Sequence, residues 1–262
     1  MTTWMKRTTA GMRWWHAALF GGAFAATVIM MLPARWAASA LEHATDGHVR
    51  LNGATGSPWR GRGDLVLRSE AGEIVLPGTS WEWLPARLLA GEVAIKLRFA
   101  GVATGNVVVA RRMTGLVLRD AEISLPAAAL AERVGPLRGW GPGGTLVFRT
   151  QLLNLGTDGA AGGAQVMWQG ASTASAPLGD FLCDLQVTPG MAARVTIATL
   201  RGPLFLSADG EVGVGGALRL RGTATSEPAY RAQLGPLLLA LGANRGDGAV
   251  AFDIALPARG PA

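Results

Sequence analysis

The chain has 262 residues, of which 49% are hydrophobic and only 16% charged, with a formal net charge of +6. A charged share so far below the usual ~25% points to a membrane segment or to extensive two-sided burial. The 37 glycines and 14 prolines suit short strands and turns and exclude a helix bundle. Residues 1–50 hold five Lys/Arg and two acids, so +3 of the charge lies there and the other +3 is spread over the remaining 212 residues. No basic stripe of the kind that coats nucleic acid is present.

In chain order, the first predicted element is residues 14–32, WWHAALFGGAFAATVIMML. At 1.5 Å per residue its 19 residues make about 28 Å of helix, close to a bilayer core. Trp14, Trp15 and Trp36 bracket it as interfacial aromatics do, and Pro33 ends it. Lys6, Arg7 and Arg13 precede it while only Arg35 follows closely, so the N-terminus is expected on the cytoplasmic side and the remainder across the membrane. A cleaved leader ending at Ala38-Ser39-Ala40 is the alternative, but the apolar stretch exceeds the usual ~7–15 residues of a leader. Ala18, Gly22 and Ala26 recur every fourth residue, a candidate helix-packing face. The expected division is a tail (1–13), a transmembrane helix (14–32), a juxtamembrane linker (33–50), a β-rich domain (51–256) and a tail (257–262).

Next comes the stretch Gly56-Ser-Pro-Trp59-Arg60-Gly61-Arg62-Gly63. It reads as an exposed turn: Trp59 packs on a sheet, and Arg60 and Arg62 are solvated or face acidic partners or lipid phosphates. Beyond it, Val93, Ile95, Leu97 and Phe99 alternate with polar or small residues, as do Ala121, Ile123 and Leu125, and Val250, Phe252 and Ile254. Leu146 and Phe148, Val195 and Ile197, Leu204 and Leu206, and Leu218 and Leu220 repeat the pattern. This period of two predicts antiparallel strands with one wet face. Turns are expected at Gly72-Glu73, Pro77-Gly78, Pro189-Gly190, Asp209-Gly210 and Gly215-Gly216. Short helices are expected over 84–90, 126–134 and 230–241, the last interrupted at Gly235-Pro236. An apolar helix, glycines and a Leu-Val-Phe-like strand occur over 130–148 and again over 234–252, so two related halves (51–155 and 156–256) are expected. The fold class is mainly β: a twisted antiparallel sheet or half-open, barrel-like domain with a few short helices.

Chemistry is sparse. The histidines are His16, His43 and His48, none within the β-rich body, which removes a Ser-His-Asp triad and leaves zinc no histidine ligands. No phosphate-binding or nucleophile-elbow motif occurs. The lone Cys183 reads as a buried, inert thiol. Neither cofactor, metal, nucleic acid nor small-molecule substrate is called for. Trp59, Arg60, Arg62, Trp81, Trp83 and Trp168 are the candidate interaction residues, with a core role as the competing reading of the tryptophans.

Several motifs occur in a fixed order: Gly53-Ala-Thr-Gly56-Ser-Pro-Trp59-Arg-Gly61, Trp81-Glu-Trp83-Leu-Pro85, Leu88-Leu-Ala-Gly91, Gly143-Gly144, Trp168-Gln-Gly-Ala171, Pro177-Leu-Gly-Asp180 and the 238–248 stretch. With the single predicted anchor, they resemble the type II secretion system protein N family of Gram-negative bacteria over nearly the whole chain. The resemblance implies a non-enzymatic inner-membrane component whose periplasmic β domain contacts other secretion subunits, with membrane lipid as a further partner and no catalytic residues. A lipid-binding or lipid-transfer groove formed by an uncovered apolar face is the alternative function.

Overall fold

The computed structural model describes residue 20 and residues 31–69, 72–131, 140–156, 159–213, 217–244 and 248–256. Lys6, Arg7, Arg13, Trp14, Trp15, Ala18, Gly22 and Ala26 lie outside these residues, as does nearly all of the predicted anchor. No helix among the described residues is long and apolar enough to cross a membrane.

Among the described residues one sheet accounts for all fourteen strands. They are β1 (Val49–Gly56), β2 (Arg60–Ser69), β3 (Gly72–Trp83), β4 (Val93–Ala100), β5 (Thr104–Arg112), β6 (Gly115–Pro126) and β7 (Gly143–Gly156). There follow β8 (Gly159–Ser172), β9 (Pro177–Val187), β10 (Ala193–Arg201), β11 (Leu204–Val212), β12 (Leu218–Ser226), β13 (Ala243–Asn244) and β14 (Val250–Leu256). Three α-helices accompany them: α1 (Ala34–Ala44), α2 (Ala127–Ala131) and α3 (Arg231–Leu241). The strand order follows the chain from β1 to β12, after which β14 lies between β12 and β13. Every ladder is antiparallel. No ladder joins β1 to β13 or β14 among the described residues, so the sheet is open.

The period-two pattern has a direct structural result. Cross-strand partners point to the same face. One row of partners reads Phe99, Gly105, Ile123, Phe148, Val166, Cys183, Ile197, Ala208, Gly222 and Phe252 from β4 to β14. The row beside it reads Arg62, Ser80, Arg98, Asn106, Glu122, Arg149, Gln165, Asp184, Thr196, Asp209, Arg221 and Asp253. From β4 to β14 one face is therefore mainly apolar and the other mainly polar, apart from a third buried cluster of Ala94, Val108, Ala110 and Val117 on the Lys96 side. The apolar face carries two buried clusters. Leu65, Phe99, Ala103, Val107 and Ala121 form the first, and Phe181, Leu204, Leu234, Leu238, Val250 and Phe252 belong to the second. Helix α3 supplies Leu234 and Leu238 and so roofs the second cluster.

The turn expected at Arg60–Gly63 is corrected: β2 already begins at Arg60, and the chain turns at Ser57–Trp59 instead. Pro77-Gly78 and Asp209-Gly210 are not turns either. The first is a bulge inside β3, where the register against β2 shifts between Gly63 and Leu65. There Gly78 has φ +68°, a left-handed conformation that favours glycine, and its N–H donates to Asp64 Oδ1 at 3.0 Å. The second lies in regular pairing within β11. Pro189-Gly190 does turn, with φ +72° at the glycine. The 33–50 stretch, expected as a linker, holds α1 and the first residues of β1, tied by an Arg50–Glu42 ion pair of 2.8 Å. The helix expected over 84–90 is a 3₁₀ helix, Pro85–Ala90. Helix α3 runs through Gly235-Pro236 without interruption, because the loss of one N–H is offset by the burial of Leu234 and Leu238 on the sheet.

Candidate functional site

Two surfaces emerge, one on each face. On the polar face, β1 to β4 form a shallow depression of about 1500 Å³. Gly61 pairs with Trp81, and a Cβ at that position would overlap the Trp81 indole and the Thr55 carbonyl. Glycine is thus required here because the ring lies directly on the backbone. Trp81 is 6% exposed and its indole N–H donates to the Ser57 carbonyl at 3.2 Å. This tryptophan serves the fold. Trp59 and Trp83 are half-buried, their ring centroids 4.7 Å apart with planes at 46°. Arg60 and Arg98 flank Glu82, at 2.5 and 3.5 Å. The Arg60 hydrogen bond and charge hold the Glu82 carboxyl below its ordinary range. Arg60, Arg62, Lys96 and Arg98 against Glu82 and Asp64 leave four positive and two negative groups, a local excess of +2. Arg60, Arg62 and Trp81 line the depression, Trp81 with Leu97 as its cross-strand partner; Trp59 and Trp83 are not part of its lining, Trp83 pairing with Ile95, and Trp168 lies elsewhere. Trp36, on α1, is 61% exposed.

A cluster that sequence reading missed lies further along the same face. Glu92, 1% exposed, precedes β4 and accepts from Arg112 Nε at 2.6 Å and Arg119 Nη2 at 2.9 Å, with Arg87 Nη1 at 3.9 Å. It ties β4, β5 and β6 and the 3₁₀ helix to one carboxylate. The Arg112 hydrogen bond lowers the Glu92 pKa and Arg119 adds to this, against the opposing effect of burial. The partners stand 20 and 27 residues away, so nothing in local sequence could announce the cluster.

The second surface is a groove of about 440 Å³ on the apolar face. Val166, Phe181, Cys183, Ile197, Leu206, Leu220 and Ile254 form its floor, one or two from each strand, and Leu237 and Leu241 of α3 form one wall. Leu130 of α2 and Trp140 complete the rim. Trp168 lines it, donates its indole N–H to the Gly143 carbonyl at 2.9 Å and packs 6.1 Å from the Phe181 ring. Thr173 is the sole hydroxyl of the lining, and its oxygen is occupied by the Ala176 amide and carbonyl at 3.2 and 3.3 Å. Burial, with the Asp184 charge, raises the Cys183 pKa, so the thiol stays protonated and weakly nucleophilic. Asp180, next to the groove, accepts from the Gly170 amide at 2.7 Å and from Arg201 Nε at 2.5 Å, and these two contacts hold its pKa low.

Among the described residues no group of His, Cys, Asp and Glu could hold a metal ion. His43 and His48 hydrogen-bond backbone carbonyls of Ser39 and Thr45 around the end of α1. The geometry supports surface recognition on one face and apolar sequestration on the other.

No curated protein and no solved structure matches the chain. The family model for type II secretion system protein N matches residues 47–253. That span opens two residues before β1 and closes inside β14, so it takes in the sheet from its first strand to its last. The chain therefore belongs to the type II secretion system protein N family.

Proposed function

We propose that the chain is a non-enzymatic inner-membrane component of the type II secretion machinery. Residues 14–32 anchor it with the N-terminus cytoplasmic, and the sheet lies in the periplasm. Its work is done by contact with other secretion subunits, through the polar face of β1 to β4. Family membership over 47–253 carries the reading. The local excess of positive charge at Arg60, Arg62, Lys96 and Arg98 supports an acidic partner surface.

The test is co-purification of other secretion subunits with the full chain from membranes, comparing wild type with Arg62→Glu/Lys96→Glu. Arg62 is exposed and Lys96 half-buried on the wet face, so the double variant should keep its thermal midpoint. Recovery of partners should fall about tenfold, roughly 1.4 kcal/mol of association free energy, and wild-type recovery should weaken with salt. Undiminished recovery by a folded double variant would remove this face from the interface.

A further inference from the structure

We infer that the groove between α3 and the apolar face holds one acyl chain of a membrane phospholipid. This goes beyond the secretion reading and does not rest on it. The groove is marked by what it lacks. No charged side chain lines it, its one hydroxyl, Thr173, bonds to its own turn, and the Trp168 indole bonds to Gly143. The backbone amides of the floor are engaged in the ladders between β8 and β14. An extended polypeptide segment entering here would leave its own amides without partners, which burial penalises heavily. An uncharged hydrocarbon needs none. The match of an uncharged lining to an uncharged chain, with any head group left in water, selects the occupant.

Size agrees with this. The volume of about 440 Å³ falls within the range of small-ligand sites. The floor crosses the sheet from Leu146 on β7 to Ile254 on β14, six strand spacings, or at most ~29 Å at ~4.8 Å each. One leaflet of a bilayer core is ~15 Å deep, so the groove is long enough for a single acyl chain. An apolar cavity of this kind stays dry and takes apolar guests.

The experiment uses the full chain in mild detergent micelles doped with a phosphatidylethanolamine that carries a photoreactive diazirine at mid-chain. Adducts are mapped by peptide mass spectrometry, and native mass spectra count retained phospholipid. The expected result is adducts in 166–206 as well as in 14–32, with about one phospholipid retained per chain. Ile197→Arg places a charge on the floor and should cut the groove adducts at least tenfold while leaving those in 14–32 unchanged. If Ile197→Arg does not fold, Trp140→Arg on the exposed rim takes its place with the same expectation. Adducts confined to 14–32, groove adducts that persist undiminished in a folded variant, or a groove that retains an acylated or apolar protein in place of phospholipid would each overturn the inference.

Discussion

Glu92 shows how much of this molecule depends on single side chains. It is almost wholly enclosed, yet it stays ionised because Arg112 and Arg119 donate to it. Its pKa is lowered from 4.5 in the folded chain. A group of that kind stabilises the fold fully above about pH 4.5, and the contribution fades as pH falls through the lowered value. We predict that the thermal midpoint of the wild type drops steeply below pH 4.5 and that Glu92→Gln, less stable at neutral pH, shows a flatter acid limb. Parallel acid limbs in the two proteins would argue against this. The exposed pairs of the polar face behave differently. Arg149 and Glu122 are each more than half exposed, so their 2.7 Å contact is worth only ~0–1 kcal/mol. Gly61 is the other residue on which much depends, since the Trp81 ring occupies the space where a side chain would stand.

At the scale of elements, α3 is the part whose loss would be felt most. Leu234 is 1% exposed and Leu238 5%, both against the second cluster. Leu234→Ala should cost roughly 2–5 kcal/mol, read as a shift in the denaturant midpoint at constant slope. A cost below about 1 kcal/mol would mean that α3 is not fastened to the sheet. The strands were legible wherever side chains alternate, as over Val93–Phe99 and Val250–Ile254, because that alternation is the physical consequence of having one wet face. Turn dipeptides were less faithful. Pro77-Gly78 and Asp209-Gly210 carry turn chemistry yet sit inside strands, since a bulge and a regular ladder can absorb the same residues when neighbours supply the pairing. The Arg-Gly run at 60–63 misled for a related reason: Gly61 answers to an indole twenty residues away and Gly63 to the backbone of β1. The Glu92 cluster could not be read in advance, and the groove was expected only as an uncovered apolar face without its residues. Their members come from many strands, and only the register brings them to one place.

For the whole molecule, six strands lead to α2, six more to α3, and the short β13 and the returning β14 complete the sheet. Composition anticipated the mainly β class and the ordered motifs anticipated the family, but the separation of the two faces from β4 to β14 required the register. The strand order has one more consequence, and it concerns time. From β1 to β12 each strand pairs with the one made just before it, so every ladder joins neighbours in sequence and most close across a short loop at small entropic cost. The chain can zip up from its beginning without waiting for its end. Only β14 breaks the sequence, because it must slide in beside β12 after α3 and β13 have been laid down. Pulse-labelled hydrogen exchange during refolding should find amides of 93–126 protected before those of 250–256, and simultaneous protection would contradict it. A sheet delivered across a membrane from its first strand onward would then have each newly exposed edge promptly covered by its successor, with the β12 edge left open until β14 arrives at the final step.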